Sequence, residues 1–251
     1  MMYHPTLDKL QQLKLTGMLR ALQEQEAIPD VRTMPFEERL GLMVDRELTE
    51  RGNRRMQTRL RAAKLKQNTA LEDIDFKSAR GLDRSLIMQL AGCEWVAEHL
   101  NVLITGATGI GKTWLACALA HKACREGYSS YYVRLSRLFQ DLDIGRADGR
   151  YAKMMRQLAK ADVLVMDDWG LAVLTDQHRR DLLEILDDRY NLRSTVITSQ
   201  LPVAHWHEAV GDPTLADAIL DRVVHNSYKI NLSGKSMRKE KQKLTADGSA
   251  P

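Results

Sequence analysis

The apolar positions of this chain change their period partway along. Leu7, Leu10 and Leu13 form one row and Leu15, Leu19 and Leu22 a neighbouring one, which together make the broad stripe of an amphipathic helix. Ile28-Pro29-Asp30 interrupts that pattern. Thr33 stands where it can cap a second helix, with Pro35 in the first turn and Glu37 and Glu38 near the positive end. Phe36, Leu40, Met43 and Glu47 then follow one face, and Gly52 reads as a turn or kink before a basic helical stretch. Leu71–Phe76 reads as an extended connector. A small all-α N-terminal domain is therefore expected over 1–68, and a second domain over 69–251.

After a helix around Leu82–Leu90, short buried strands alternate with helices, the signature of an α/β fold with a parallel sheet. The expected strands are Val102–Thr105, Ser130–Leu135, Val163–Met166, Thr195–Thr198 and Lys229–Leu232. Between them, helices are expected at Lys112–Glu126 and His178–Tyr190, among others. The polar residues from Glu240 onward read as a loose end.

Composition narrows the class. The chain has 251 residues, enough to bury a core, and its balance of residue types is that of a globular protein. No apolar run is long enough to span a membrane and the N-terminus lacks a secretory pattern, so no membrane partner and a cytoplasmic location are expected. Cys93, Cys117 and Cys124 form no CxxC pair and read as small core residues. His205 and His207 lack a third ligand nearby in sequence and read as structural or solvent-facing. Tyr131 and Tyr132 read as packing residues in a strand.

Chemistry enters with Gly106-Ala107-Thr108-Gly109-Ile110-Gly111-Lys112-Thr113, which matches GxxxxGK[ST] between an expected strand and an expected helix. The glycines let successive N–H groups turn inward around phosphates. The Lys112 ammonium suits the β- and γ-phosphates, the Thr113 hydroxyl suits Mg²⁺, and the helix start adds its positive end. ATP with Mg²⁺ is the expected ligand pair. Val163-Leu164-Val165-Met166-Asp167-Asp168 is an apolar strand ending in two acids, at the strand end where a parallel sheet binds ligands. Asp167 is placed to hold Mg²⁺ through water, and Asp168 to orient or deprotonate the attacking water.

The net charge is only +4, but Arg51 to Lys66 contains no acid. Arg51, Arg55 and Arg59 fall four apart on one helical face with Lys66 roughly in line, while Arg54, Arg61 and Lys64 broaden the row. Like charges at that spacing repel, and an anionic partner relieves the repulsion. The row reads either as a DNA-backbone contact, blind to base sequence, or as a solvated or protein-contacting face.

Further motifs resemble the IstB family, AAA+ transposition helper ATPases of insertion sequences related to DnaC-type helicase loaders. They are Leu-Lys-Leu-Thr-Gly-Met at 13–18, Phe-Glu-Glu-Arg-Leu at 36–40, Ala-Arg-Gly-Leu-Asp-Arg at 79–84, the phosphate loop and the Asp-Asp strand. Ala-Ile-Leu-Asp-Arg at 218–222, before Val-Val-His-Asn, and Gly-Lys-Ser-Met-Arg at 234–238 complete the series. The resemblance implies a P-loop AAA+ domain behind the helical one, ATP hydrolysis, and a polar sensor at Gln200. It also implies an arginine finger at Arg222 acting on a neighbouring subunit, and a second sensor at Arg238. Arg222 could instead form an ordinary ion pair with Asp217, Asp221 or another acid, and Arg238 could belong to a basic tail. Relatives usually carry Asn at Gln200 and many carry Glu at Asp168; the shorter acid could slow hydrolysis while binding stays intact. A finger acting in trans implies a homo-oligomer with active sites between subunits. By the same resemblance, the expected partners are duplex DNA and a transposase. A helicase loader on single-stranded DNA and a phosphate-loop small-molecule kinase are the rival readings.

Overall fold

The computed structural model describes residues 5–76 and 80–237, the side chain of Arg32 excepted. The chain divides into two compact units, Met1–Thr58 and Arg59–Pro251. The first contains α1 (Pro5–Gln12), α2 (Thr16–Glu26) and most of α3 (Phe36–Ala63). The N-terminal leucine stripe is not one helix. It breaks between α1 and α2, where Lys14 turns left-handed (φ 57°) and the Leu15 N–H donates to the Leu10 carbonyl.

Two other local expectations are corrected. Thr33 lies in a single 3₁₀ turn, Val31–Thr33, and its hydroxyl donates to the Asp30 carbonyl, so it does not cap α3. Gly52 neither turns nor kinks the chain: α3 runs through it, and the Cβ it lacks would meet open space. The cost of one glycine in a helix interior, about 1 kcal/mol, is small beside the run of good helix formers around it. At Gly17 the absence of a side chain does matter, because a Cβ there would stand 2.6 Å from the Glu47 Cα. This close approach lets Glu47 Oε2 accept from the Gly17 and Met18 N–H groups at 2.7 and 3.2 Å. Those are orphan donors in the first turn of α2, which has no side-chain cap of its own.

The division falls earlier than the expected 68/69 boundary because the chain from Arg59 onward already packs with the larger unit. Arg59 Nε donates to the Cys124 carbonyl at 2.9 Å, Lys64 lies over the Tyr131 ring, and Thr69 is buried with its hydroxyl on the Trp114 carbonyl. Leu71–Phe76 is not wholly extended, since Leu71–Asp73 forms a 3₁₀ turn with Leu71 and Ile74 buried.

In the larger unit α4 (Arg84–Ala91), capped by Asp83, and α5 (Glu94–Ala97) lead into β1 (Asn101–Gly106). Then follow α6 (Lys112–Arg125), β2 (Ser130–Arg134), α7 (Leu135–Ala147), α8 (Tyr151–Lys160) and β3 (Val163–Trp169). The unit continues with α9 (Asp176–Asp187), β4 (Ser194–Ser199), α10 (Trp206–Val210), α11 (Pro213–Val224) and β5 (Ser227–Leu232). All five strands join one parallel sheet in the order β2-β3-β4-β1-β5.

Alternation along the strands supplies two cores. Val102, Ile104, Val165, Val196 and Ile230 pack with α4 and α6, while Leu103, Leu164, Met166 and Ile197 pack with α7, α9 and α11. Both faces of the sheet are thus covered, as a parallel sheet requires. The chain leaves β1 and crosses to β2 at the far edge, so β3 and β4 are inserted between them. The strand order therefore reverses beside β1, and the carboxyl ends of β1, β4 and β3 open onto one crevice. Among the described residues no helix is long and apolar enough to cross a membrane.

Candidate functional site

A cavity of about 720 Å³ lies at that crevice, lined in part by Thr108, Gly109, Lys112, Thr113, Asp168 and Gln200. The loop from β1 to α6 forms its floor. Gly106, Gly109 and Gly111 take φ values of 143°, 83° and 106°, the left-handed region open to glycine. Space agrees with angle at two of them: a Cβ would stand 2.3 Å from the Leu232 carbonyl oxygen at Gly106, and 2.3 Å from Ser236 Oγ at Gly109. No side chain caps the first turn of α6, so its N–H donors remain for an anion. Lys112 Nζ donates to the Gly106 and Ala107 carbonyls at 2.6 and 2.9 Å, holding its ammonium within the loop that would wrap the phosphates.

The carboxylates answer from β3. Asp167 is fully buried, and its two oxygens serve different partners. Oδ1 accepts from the Thr113 hydroxyl at 2.8 Å and the Thr198 hydroxyl at 2.6 Å. Oδ2 accepts from the Tyr132 hydroxyl at 2.5 Å and faces Lys66 Nζ at 3.6 Å. Burial alone would raise the carboxyl pKa, but the Thr198, Tyr132 and Thr113 hydrogen bonds and the Lys66 charge outweigh it and hold the group below its usual value. Burial, then the bond and charge of Asp167, push the Tyr132 phenol well up, so it stays a donor.

Asp168 turns the other way. Its φ of 66° falls at an irregularity in the β3–β4 register between Met166 and Trp169. Its N–H donates to Thr198 Oγ1 at 3.2 Å, and its carboxylate accepts from Arg134 Nε at 2.6 Å. A left-handed non-glycine residue costs of order 1 kcal/mol or more, and here it turns the second acid onto the cavity wall. Thr198 thus touches both acids, at the end of the strand that separates β3 from β1.

The structure places Lys112, Thr113, Asp168 and Gln200 on the cavity wall, with Asp167 buried behind Thr113. Arg222 lies elsewhere in the same chain: Nε donates to Asp187 Oδ1 at 2.6 Å and Nη1 to the Ala218 carbonyl at 2.8 Å. Arg238 falls outside the described residues.

The basic row is corrected in three places. Glu47, one turn before the acid-free stretch, pairs with Arg51 at 2.6 Å and with Arg54 at 3.5 Å. Arg59 is committed to the Cys124 carbonyl. Lys64 and Lys66 follow the end of α3, Lys64 with φ 51°, and Lys66 lines the nucleotide-sized cavity. Arg55 and Arg61 are exposed, and among the described residues no carboxylate pairs with them.

Sequence reasoning missed Tyr132, Arg134 and Thr198, which hold the two acids, as well as Arg80 on the cavity wall. Tyr132 and Arg134 carried a usable signal. They lie on β2, which pairs with β3 in a register that sets Arg134 beside Asp167. That pairing requires the strand order, which periodicity alone does not give.

A family model of IstB-like ATP binding proteins matches residues 8–246. An insertion sequence ATP-binding protein of Sinorhizobium fredii is 51% identical over 97% of this chain and 99% of its own length. Another, from Pseudomonas fluorescens, is 51% identical over 80% of this chain and 88% of its own. Among solved structures, DnaI matches with a TM-score of 0.57 at 23% identity, over 70% of this chain and 94% of that one. AMPPCP-bound DnaA from Aquifex aeolicus matches with a TM-score of 0.56 at 19% identity, over 75% of this chain and 58% of that one. These structural likenesses show the P-loop AAA+ fold. The curated relatives and the family match go further, and the chain belongs to the family of IstB-like insertion sequence ATP-binding proteins.

Proposed function

We propose that this protein hydrolyses ATP with Mg²⁺, assembles on duplex DNA with its active sites between subunits, and presents target DNA to a transposase. The observation that carries the reading is the convergence of Lys112, Thr113 and Asp168 on one cavity, with the buried Asp167 carboxylate accepting from the Thr113 hydroxyl behind it. Inward-turned loop glycines and the uncapped start of α6 fit a polyphosphate, and the Thr113 hydroxyl beside the Asp167 carboxylate fits a hard divalent cation. Thr113 and Asp167 would hold Mg²⁺, which when bound neutralises phosphate charge.

In this reading Lys112 leaves the Gly106 and Ala107 carbonyls for the β- and γ-phosphates. Asp168 orients the attacking water and accepts its proton, with Arg134 fixing the carboxylate until substrate enters. Gln200 reaches the same water from the end of β4. Arg222 exchanges Asp187 for the phosphates of a neighbouring subunit and stabilises charge as the terminal phosphate departs. Arg55 and Arg61 supply contacts to the DNA backbone, with Arg51, Arg54, Arg59, Lys64 and Lys66 contributing less because each already has a partner.

Sedimentation with ATP at one fixed salt concentration, on duplex and single-stranded DNA in parallel, tests the reading. Large complexes that require both ATP and duplex are expected. Preference for single strands would replace it with a helicase loader, and turnover that needs a metabolite instead of DNA would replace it with a kinase. Within the assembled state, Arg222→Ala is expected to lower turnover by about a thousandfold. Full turnover there would end the trans-finger role.

A further inference from the structure

The Asp167 carboxylate has a second face that the catalytic reading leaves unused. Its Oδ1 looks toward Thr113, where the divalent cation would sit, while Oδ2 is held by Tyr132 and faced by the Lys66 ammonium at 3.6 Å. Lys66 is part of the cavity wall and its side chain is 38% exposed, so it reaches the buried acid from the solvent side. It is positioned by what flanks it. The basic stretch leaves α3 at Ala63, which is fully buried, and Thr69 is fastened to the Trp114 carbonyl a few residues later. A fully buried carboxylate next to a polyphosphate repels it unless a positive charge stands close. Where a divalent cation is lacking, Lys66 remains as a side-chain charge paired with the far oxygen.

From this geometry we infer that Lys66 is a positioning residue of the ATP site, a tethered counter-charge on Asp167 that lets the pocket accept ATP without a divalent cation. The inference rests on the ATP-binding reading above and gives Lys66 its main role at the nucleotide, which is why it contributes less to DNA. It acts through Asp167 and does not touch the phosphates. Without Lys66, the uncompensated carboxylate opposes metal-free ATP, whereas Mg²⁺ supplies the missing charge when it is present. The loss therefore falls on metal-free binding, and by linkage ATP and Mg²⁺ become more strongly coupled.

The test is calorimetric titration of the full chain with ATP, once with excess Mg²⁺ and once with EDTA. For Lys66→Gln, and for Lys66→Met as a second neutral variant, the ratio of metal-free to Mg²⁺ dissociation constants is expected to rise on the order of tenfold. Lys66→Arg keeps the charge and is expected to hold the ratio within about twofold. In an Asp167→Asn background, Lys66→Gln should move the ratio no further, the signature of two residues acting as one unit.

An unchanged or lowered ratio in both neutral variants would overturn the inference. So would an undiminished shift in the Asp167→Asn background, because Lys66 would then act on the phosphates directly. Wild-type chain that bound no ATP in either buffer would overturn the ATP-binding reading itself, a result distinct from a wild type that binds while the ratio stays fixed.

Discussion

Lys112 and the arginines between 51 and 61 look alike in the sequence, cations with no acid beside them, yet the structure uses them differently. Lys112 is held by a loop with a particular backbone: three left-handed glycines, one of them with no room for a Cβ against a backbone carbonyl, and an ammonium turned onto two loop carbonyls. The arginines are held only by helical spacing, and spacing does not choose a partner. Arg51 and Arg54 go to Glu47, Arg59 to a backbone carbonyl, and Arg55 and Arg61 to solvent. A motif that dictates backbone conformation therefore transfers from sequence to site almost intact, whereas a run of charge fixes a face and leaves its use open.

The sharpest break between the two regions is chemical. Asp168→Asn keeps the side chain's size and its seat on β3 but removes the basic oxygen. Turnover is expected to fall by about a hundredfold or more while ATP affinity stays within about twofold. Steady-state rates beside equilibrium titration check it, and an equal loss in both would mean that Asp168 helps to hold the nucleotide instead. Arg134→Gln makes a useful companion, since it frees Asp168 without touching the acid.

Next in size comes Lys112→Ala. Losing a charge-assisted contact to the phosphates is expected to weaken ATP by about a hundredfold. The thermal midpoint without nucleotide should hardly change, because the ammonium donates to carbonyls of the loop that lines the cavity. A large fall in the midpoint would show that the lysine braces the loop even without a ligand. Conversely, ATP affinity within a few-fold of wild type would remove Lys112 from the phosphate site.

How much was legible follows the same division. The strands, the phosphate loop and the paired acids could be read because short continuous apolar runs alternating with helices, and glycine spacing, record backbone geometry directly. Tyr132, Arg134 and Thr198 could not be assigned, since their work depends on β2 and β4 flanking β3, an order set by crossovers far apart in the chain. The leucine stripe misled for a related reason. Helical spacing persists across Leu13–Leu15 even though Lys14 reverses the backbone there, and apolar positions do not record φ. Glu47 read as one residue of an amphipathic face, but a single close glycine converts it into the cap of α2 and the counter-ion of two arginines.

Glu47 also supplies the finest test, within the basic row itself. If Arg55 and Arg61 meet phosphates, neutralising either one should flatten the dependence of log affinity on log salt for duplex DNA by about 0.9. Arg51→Gln should flatten it less, because part of that charge already faces Glu47. Its cost should appear in stability instead. Burial raises the Glu47 carboxyl pKa, but the Arg51 bond, the Met18 and Gly17 N–H groups and the Arg51 charge together draw it below its usual value. A carboxyl whose folded pKa is depressed contributes stability above its unfolded pKa and loses it as the pH falls through the folded value. Arg51→Gln takes away two of the lowering causes, so the acid-side loss should be smaller and should end at a higher pH in the variant. Denaturant midpoints across the acidic range would show that shift. If Arg51→Gln instead matches Arg55→Gln in salt slope and leaves the acid limb in place, the Glu47 pair does not persist in solution and the whole row is free to meet DNA.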